Sequence, residues 1–184
     1  MCHKRGYCMN YECTKNITEK YKDFIDFALS VSDSIAFHIV HYDILSPEML
    51  KMREDYQKSH PEESSDDIVV NHEYYEKMAK IIKPIEEAII SKENAFSYLG
   101  YGYGYLCETF IIDTNPPKVK EFLCLADSIF SWQYPDFPED VSFFRQGKCW
   151  LRNVAHENMM FFENITNYEF ELLCKIGVEL YPDE

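Results

Sequence analysis

The residues best suited to chemistry cluster in segment 138–162, around the adjacent pair His156 and Glu157. An imidazole beside a carboxylate is a common arrangement for general acid–base catalysis. Trp150 and Arg152 stand two positions apart on a predicted strand, so we expect them on one face, as an aromatic surface and a cation. The second histidine of the usual zinc-protease motif is absent, because a methionine occupies its position.

A nucleophile for this pair would have to come from elsewhere in the chain. Cys107 and Cys149 are the obvious thiols, but the sequence assembles no Ser–His–Asp or Cys–His arrangement around them. A turn histidine held by backbone hydrogen bonds is more common than a catalytic one. We therefore interpret His156 and Glu157 first as a structural turn and second as part of a site.

A second unusual stretch, YLGYGYGY, occupies positions 98–105. In an extended conformation its glycines line one face and three tyrosines line the other: Tyr101, Tyr103 and Tyr105. The glycine spacing matches neither a dinucleotide-binding fingerprint nor a phosphate-binding loop. The tyrosines are candidates for stacking on a ligand, although packing within the protein is the commoner use of such a ladder.

Metal binding is weakly supported. Potential ligands near the start of the chain are Cys2, His3, Cys8 and Cys13, but their gaps are not those of a zinc finger or ribbon. The preferred interpretation is a flexible or edge-strand segment over 1–16 with free thiols. No metal and no cofactor is predicted.

The histidines of the first predicted strand, 34–42, also resemble a metal pair. His38 and His41 are three residues apart, so on a strand they face opposite sides and cannot hold one ion together. His41 and Asp43 share a face and are candidates for an orienting pair.

Composition narrows the classes of function. The chain has 184 residues, 46% of them hydrophobic, and a formal net charge of −14. This charge disfavours direct binding to nucleic acid. No apolar run approaches the roughly 18 residues of a membrane helix. The first residues lack the apolar core of a secretory signal, and the seven cysteines form no C-x-x-C pair, so we expect a cytoplasmic protein with reduced thiols.

Predicted helices and strands, which must position these residues, alternate along the chain. Helical periodicity and caps predict helices over about 17–31, 47–58, 71–89 with a break at Pro84, 119–130 and 167–176. After the strand at 34–42, strands are predicted at 98–112, at 141–144 and 149–154 as a hairpin around Gln146-Gly147, at 158–162, and at 178–181. Segment 59–67 is predicted to be an exposed acidic loop, followed by a short strand at 68–70.

These elements predict a single α+β domain over residues 1–184. We expect an antiparallel or mixed sheet, including a C-terminal meander, covered by about four to five helices.

Two functional hypotheses follow. The first is a non-enzymatic interaction protein that binds and neutralises or regulates another protein, most simply a basic one, in the manner of immunity proteins and phage inhibitors of host defence; this is an analogy of class only. The alternative is a small enzyme or small-ligand-binding protein with a site around His156 and Glu157, completed by Arg152 and the tyrosines.

Overall fold

The structure of the protein, a computed structural model, describes residues 9–61 and 71–182. Eight strands in these ranges form one sheet, in which every neighbouring pair is antiparallel. The strands are β1 (Met9–Cys13), β2 (Ser34–Leu45), β3 (Ile89–Tyr98), β4 (Tyr101–Asp113), β5 (Glu139–Arg145), β6 (Lys148–Val154), β7 (Met159–Ile165) and β8 (Tyr181–Pro182). Their order across the sheet is β3-β4-β2-β5-β6-β7-β1-β8.

Five α-helices accompany the sheet in the described ranges. They are α1 (Tyr21–Val31), α2 (Pro47–Ser59), α3 (His72–Ile82), α4 (Pro117–Leu123) and α5 (Asn167–Ile176). Short 3-10 helices occur at Thr18–Lys20, Lys83–Ala88, Ile129–Ser131 and Ala155–Glu157. The architecture is therefore α+β, with strands dominating and the sheet open. The predicted C-terminal meander is confirmed as β5–β6–β7, and the sheet is antiparallel rather than mixed.

Local sequence signals explain several of these boundaries. The Ser46 hydroxyl accepts from the backbone N–H of Met49 at the start of α2, which has proline at its first position. Thr166 and Glu169 form a complete capping box at the start of α5. Gly177 ends α5 with a φ of 97°, a conformation that glycine adopts without steric penalty.

One face of the sheet, the helix face, carries the hydrophobic core. Phe37 of β2 stacks on Phe110 of β4 at 5.2 Å and also contacts Phe122 of α4. Phe162 of β7 meets Phe24 of α1 edge to face. Buried residues of α1, α3, α4 and α5 join the same cluster. This packing buries most of the helix face, and a cavity of about 480 Å³ remains beside α3, lined in part by Ile39, Tyr75 and Phe110.

Trp150 belongs to this core, contrary to the expectation that it shares a face with Arg152. The β5–β6 pairing shifts register, so that Phe144 lies opposite Cys149 while Phe143 lies opposite Leu151. Trp150 is the extra residue of this β-bulge, which interrupts the alternation of side chains. Its ring is 1% exposed and meets three phenylalanines edge to face: Phe27, Phe143 and Phe162.

The opposite face of the sheet, the open face, is covered in part by the turn between β3 and β4. Leu99 and Gly100 form this two-residue turn with φ values of 50° and 85°, as tight hairpins require. The turn and its flanking tyrosines, residues 98–101, are called the hairpin tip here. The tip lies over His38 of β2, whose ring centroid is 4.0 Å from that of Tyr98.

Four predicted elements differ from the structure. The predicted helix 119–130 ends at Leu123 in α4, and the predicted strand 178–181 is reduced to β8 at Tyr181–Pro182. Residue Ile89 begins β3 instead of ending a helix, because α3 stops at Ile82 and a 3-10 helix containing Pro84 follows it. The stretch 98–105 is divided by the Leu99–Gly100 turn, so its strand starts at Tyr101 rather than at position 98. The predicted strand at 68–70 and most of the 59–67 loop lie outside the described residues.

The two edges of the sheet are unlike each other. β3 is ten residues long, and its pairing with β4 shifts register twice, after Ile89 and after Ala95. β8 has only two residues, the second of which is Pro182. Among the helices that the structure describes, none is long and apolar enough to cross a membrane.

Candidate functional site

The candidate site lies at one end of the sheet, where β2 and β6 end and β4 and β5 begin. Because neighbouring strands are antiparallel, these four strand ends meet at the same edge. The hairpin tip and the 3-10 helix Ala155–Glu157 complete the walls. Two adjacent cavities open there, and both are lined by Tyr103 and His156.

The first cavity, the Glu139 cleft, has a volume of about 570 Å³. Four tyrosines line it: Tyr42, Tyr103, Tyr105 and Tyr134. The ring of Tyr42 contacts the ring of Tyr105 at 5.1 Å and the ring of Tyr134 at 5.0 Å, so the aromatic wall is continuous. Glu139 supplies a carboxyl group to this cleft, and His156 supplies an imidazole at its border.

Glu139 is 5% exposed and lies opposite His38 in the β2–β5 pairing. Burial raises the pKa of Glu139 to about 7, while the hydrogen bond donated by the Tyr42 hydroxyl at 2.9 Å opposes this rise. No cationic group among the described residues forms an ion pair with Glu139. A buried carboxyl group with a raised pKa in a cleft is a frequent mark of a functional site.

Asp140, the next residue, is also buried, and its φ of 56° is unusual for a residue other than glycine. It occupies a bulge, since two residues of β5 stand opposite one residue of β2 between the pairs Ala36–Ser142 and His38–Glu139. The Asp140 carboxylate accepts from the Ala155 N–H at 2.8 Å. Burial raises its pKa above the ordinary value.

The second cavity, the Arg152 cavity, is smaller, at about 280 Å³, and lies beneath the hairpin tip. Arg152 places its guanidinium carbon 4.7 Å from the ring centroid of Tyr101 and 4.5 Å from that of Phe161. The Nε atom of Arg152 is buried without a hydrogen-bond partner. The structure thus brings Arg152 and Tyr101 together, as the sequence-based hypothesis of a common site requires.

His156 and Glu157 lie at the mouths of the cavities and not at their floor. Their side chains are 53% and 56% exposed, and the distance from His156 Nε2 to Glu157 Oε1 is 3.8 Å. This is an ion-pair distance, longer than a hydrogen bond. Tyr103 lies deeper, where its hydroxyl contacts the Asp140 carboxylate at 3.4 Å.

Two other histidines, His38 and His41, line neither the Glu139 cleft nor the Arg152 cavity. His38 is fully buried between Tyr98 and Tyr103, and burial lowers its pKa to about 3. His41 stacks on Tyr75, whose hydroxyl donates to Asp43. Among the hydrogen bonds and ion pairs of the described residues, none joins His41 to Asp43; the Asp43 carboxylate accepts from Tyr75.

The two candidate thiols are poor nucleophiles. Burial raises the pKa of both Cys107 and Cys149 to about 12, so each stays protonated at neutral pH. Cys149 pairs across the sheet with Phe144. Neither thiol lines the cavities that contain His156.

Metal ligation is not indicated within the ranges that the structure describes, where no group of three His, Cys, Asp or Glu residues could hold an ion. Cys13 is buried in β1, and its thiol donates to the Lys15 carbonyl oxygen. Cys2, His3 and Cys8 lie outside the described residues.

The sequence did not reveal Tyr42, Tyr134 and Glu139 of the Glu139 cleft or Asp140 of the Arg152 cavity. The only local indication of these residues in the sequence was the adjacent acidic pair Glu139 and Asp140. This pair lies in a segment that resembled a loop. Comparison of the chain with protein-family models, curated proteins and solved structures gave no match.

Proposed function

We propose that this chain is a non-enzymatic interaction protein that binds and neutralises or regulates a basic protein. The observation that supports this proposal best is the Glu139 cleft, where a carboxyl group without an ion-pair partner in the described residues lies among four tyrosines. The cleft would receive a lysine or arginine side chain of the partner as the anchor of the interface.

The tyrosine-lined walls of the Glu139 cleft are suited to binding a cationic side chain. Tyrosine rings attract cations through their faces, and burial strengthens this attraction. A guanidinium or ammonium group entering the cleft would also pair with Glu139, and its positive charge would favour the ionised carboxylate. Anchors of this kind, buried and surrounded by aromatic rings, supply most of the binding energy in many interfaces.

The net charge of the whole chain also favours a basic partner. A net charge of −14 attracts a basic protein at long range and accelerates its association, an effect that falls as salt screens the charges. Immunity proteins and inhibitors of nucleases are examples of this mode of action. By contrast, an enzyme built on His156 and a thiol has weak support here, because His156 is exposed and the candidate thiols have raised pKa values.

Affinity capture from the source cells tests this function. The bait is the full chain, compared with Glu139→Gln, which removes the anchor charge, and with Glu93→Gln, which removes an equal charge from an exposed position on β3. We expect a basic protein that is captured at low salt, lost at high salt, retained by Glu93→Gln and depleted about tenfold or more with Glu139→Gln. The purified partner should then lose activity when this chain is added. The absence of any protein with this dependence on Glu139 would contradict the proposal.

A further inference from the structure

Arg152 differs from the other arginine of the meander in having no acidic partner among the described residues. Arg145 forms an ion pair with Glu169, which is buried at the start of α5. In the parts of the chain that the structure describes, no carboxylate lies within ion-pair distance of Arg152. An arginine without an acidic partner is unexpected in a chain with 32 acidic and 18 basic residues.

The aromatic contacts of Arg152 hold it in place without satisfying its hydrogen bonds. Tyr101 and Phe161 offer the faces of their rings to the guanidinium carbon at 4.7 and 4.5 Å. A guanidinium donates its hydrogen bonds in its own plane and pairs best with two oxygens of one carboxylate or phosphate. Arg152 is therefore positioned for an acceptor that the described residues do not provide.

The cavity beside Arg152 is suited to a small organic ligand. Its volume of about 280 Å³ is bounded mainly by rings and aliphatic groups, including Tyr98, Tyr103 and Val154. Small-molecule sites commonly combine such apolar walls with one or two polar groups that fix the orientation of the ligand.

The acidic groups at this cavity select the charge of the ligand. Asp140 is already bonded to the Ala155 N–H, and Glu157 lies 3.8 Å from His156. These carboxylates leave Arg152 free, but they would repel a doubly charged phosphate more strongly than a singly charged group.

We propose that the Arg152 cavity binds a small monocarboxylate with an aromatic or branched apolar body. The carboxylate pairs with the guanidinium of Arg152, and the apolar body lies against Tyr98, Tyr103 and Val154. This site is separate from the cation anchor at Glu139 and does not rest on the proposed interaction with a basic protein.

Titration of the full chain with benzoate, followed by calorimetry or by NMR, tests this site. Benzamide is the neutral probe of the same shape, and inorganic phosphate is the competing anion. We expect benzoate to bind saturably and about tenfold or more tightly than benzamide, because only benzoate forms charge-assisted bonds to Arg152. Equal binding of benzoate and benzamide, no saturable binding of benzoate, or tighter binding of phosphate would overturn the proposal.

Substitutions of Arg152 test whether benzoate binds at this residue. Arg152→Met should reduce benzoate affinity about tenfold or more, and Arg152→Lys should give an intermediate loss because a charge remains without the planar fork. Lys148→Met, at the exposed start of β6, is the matched control and should bind benzoate as the wild type does. Unchanged affinity in folded Arg152→Met would contradict the site.

A measurement on the wild-type chain avoids any dependence on folding of the variants. Phenylglyoxal modifies accessible guanidinium groups, and mass spectrometry of peptides identifies the modified arginine. Benzoate should protect Arg152 while leaving modification of Arg145 unchanged; failure to protect Arg152 would contradict the proposal. Glu139→Gln keeps Arg152 and should still bind benzoate saturably, so failure of the protein-binding proposal would be distinguishable from failure of this one.

Discussion

The Tyr98 hydroxyl donates to the backbone carbonyl oxygen of Asp140 at 2.8 Å, across 42 residues of sequence. This bond joins the hairpin tip to the start of β5 and thereby closes the roof over the Arg152 cavity. Tyr98 is buried, so water has little access to replace this bond. The position of the tip therefore depends on a contact between segments that are distant in sequence.

Tyr98→Phe should destabilise the protein by about 1 kcal/mol, since the hydroxyl is lost while the Asp140 carbonyl keeps its bond from Ser142. Urea denaturation measures this change, and hydrogen exchange at the hairpin tip should become faster. Tyr168→Phe, at an exposed position on α5, is the control and should change stability by less than about 0.5 kcal/mol. If Tyr98→Phe and Tyr168→Phe changed the stability equally, the bond from the Tyr98 hydroxyl to Asp140 would not stabilise the protein.

Glu139 should make the protein less stable as pH rises. Its pKa in the folded state, about 7, is above the ordinary value of 4.5, so the folded state binds the proton more tightly than the unfolded state. The stabilisation is complete below pH 4.5 and is lost as pH rises through about 7. Between about pH 6 and pH 8 the wild type should therefore lose about 1 kcal/mol relative to Glu139→Gln.

Urea denaturation at both pH values measures this difference. Glu93→Gln should follow the pH dependence of the wild type, because Glu93 is exposed. If Glu139→Gln shows the same loss of stability as the wild type, Glu139 is not the titrating group.

Cation binding in the Glu139 cleft should strengthen over the same pH interval. Acetyl-arginine amide is a suitable probe, because its guanidinium stays charged, and acetyl-citrulline amide is its neutral counterpart. From about pH 6 to pH 8 the affinity for the arginine probe should rise up to about tenfold as Glu139 ionises. NMR titration measures this, and pH-independent binding, or equal binding of the citrulline probe, would contradict the assignment of Glu139 as the anchor.

Trp150→Ala should destabilise the protein by about 3–5 kcal/mol, because Trp150 fills the core on the helix face. Trp150→Phe should lose less, since a ring remains among the neighbouring phenylalanines. Urea denaturation measures both. Leu125→Ala, at an exposed position, is the control; a Trp150→Ala variant as stable as that control would place the indole outside the core.

Cys174 should react with iodoacetamide about tenfold or more faster than Cys107 and Cys149 near neutral pH. Cys174 is exposed on α5, whereas burial keeps the other two thiols protonated and hinders access. Mass spectrometry of the labelled peptides compares the rates, and urea-unfolded protein is the control in which the difference should disappear. Comparable rates in the folded protein would show that Cys107 or Cys149 is more accessible than its burial indicates.

The local signals of the sequence predicted the elements that depend on neighbouring residues. The hairpin at Gln146-Gly147 was predictable because both residues adopt positive φ, which glycine favours. The end of α5 at Gly177 was predictable for the same reason, and the cap at Thr166 and Glu169 because its side chains bond to backbone N–H groups three residues away. These features need no knowledge of the rest of the fold.

Features that depend on distant contacts were not predictable. The helical period of isoleucines extended to Ile89, and no local residue indicated that the chain would enter a strand there. A bulge at Trp150 arises from pairing with β5, so simple alternation gave the wrong face. The burial of Glu139 and Asp140 requires the hairpin tip and Tyr42, which reach them from other parts of the chain.

The edges of the sheet limit how a partner can attach. Growth of a sheet by an added strand requires a row of regularly spaced N–H and C=O groups. At one edge Pro182 lacks an N–H, and at the other the register shifts after Ile89 and Ala95 disturb that spacing. Both edges are therefore poor templates for intermolecular β-pairing. Recognition is expected to use side chains at the strand ends, so binding should not lengthen the sheet.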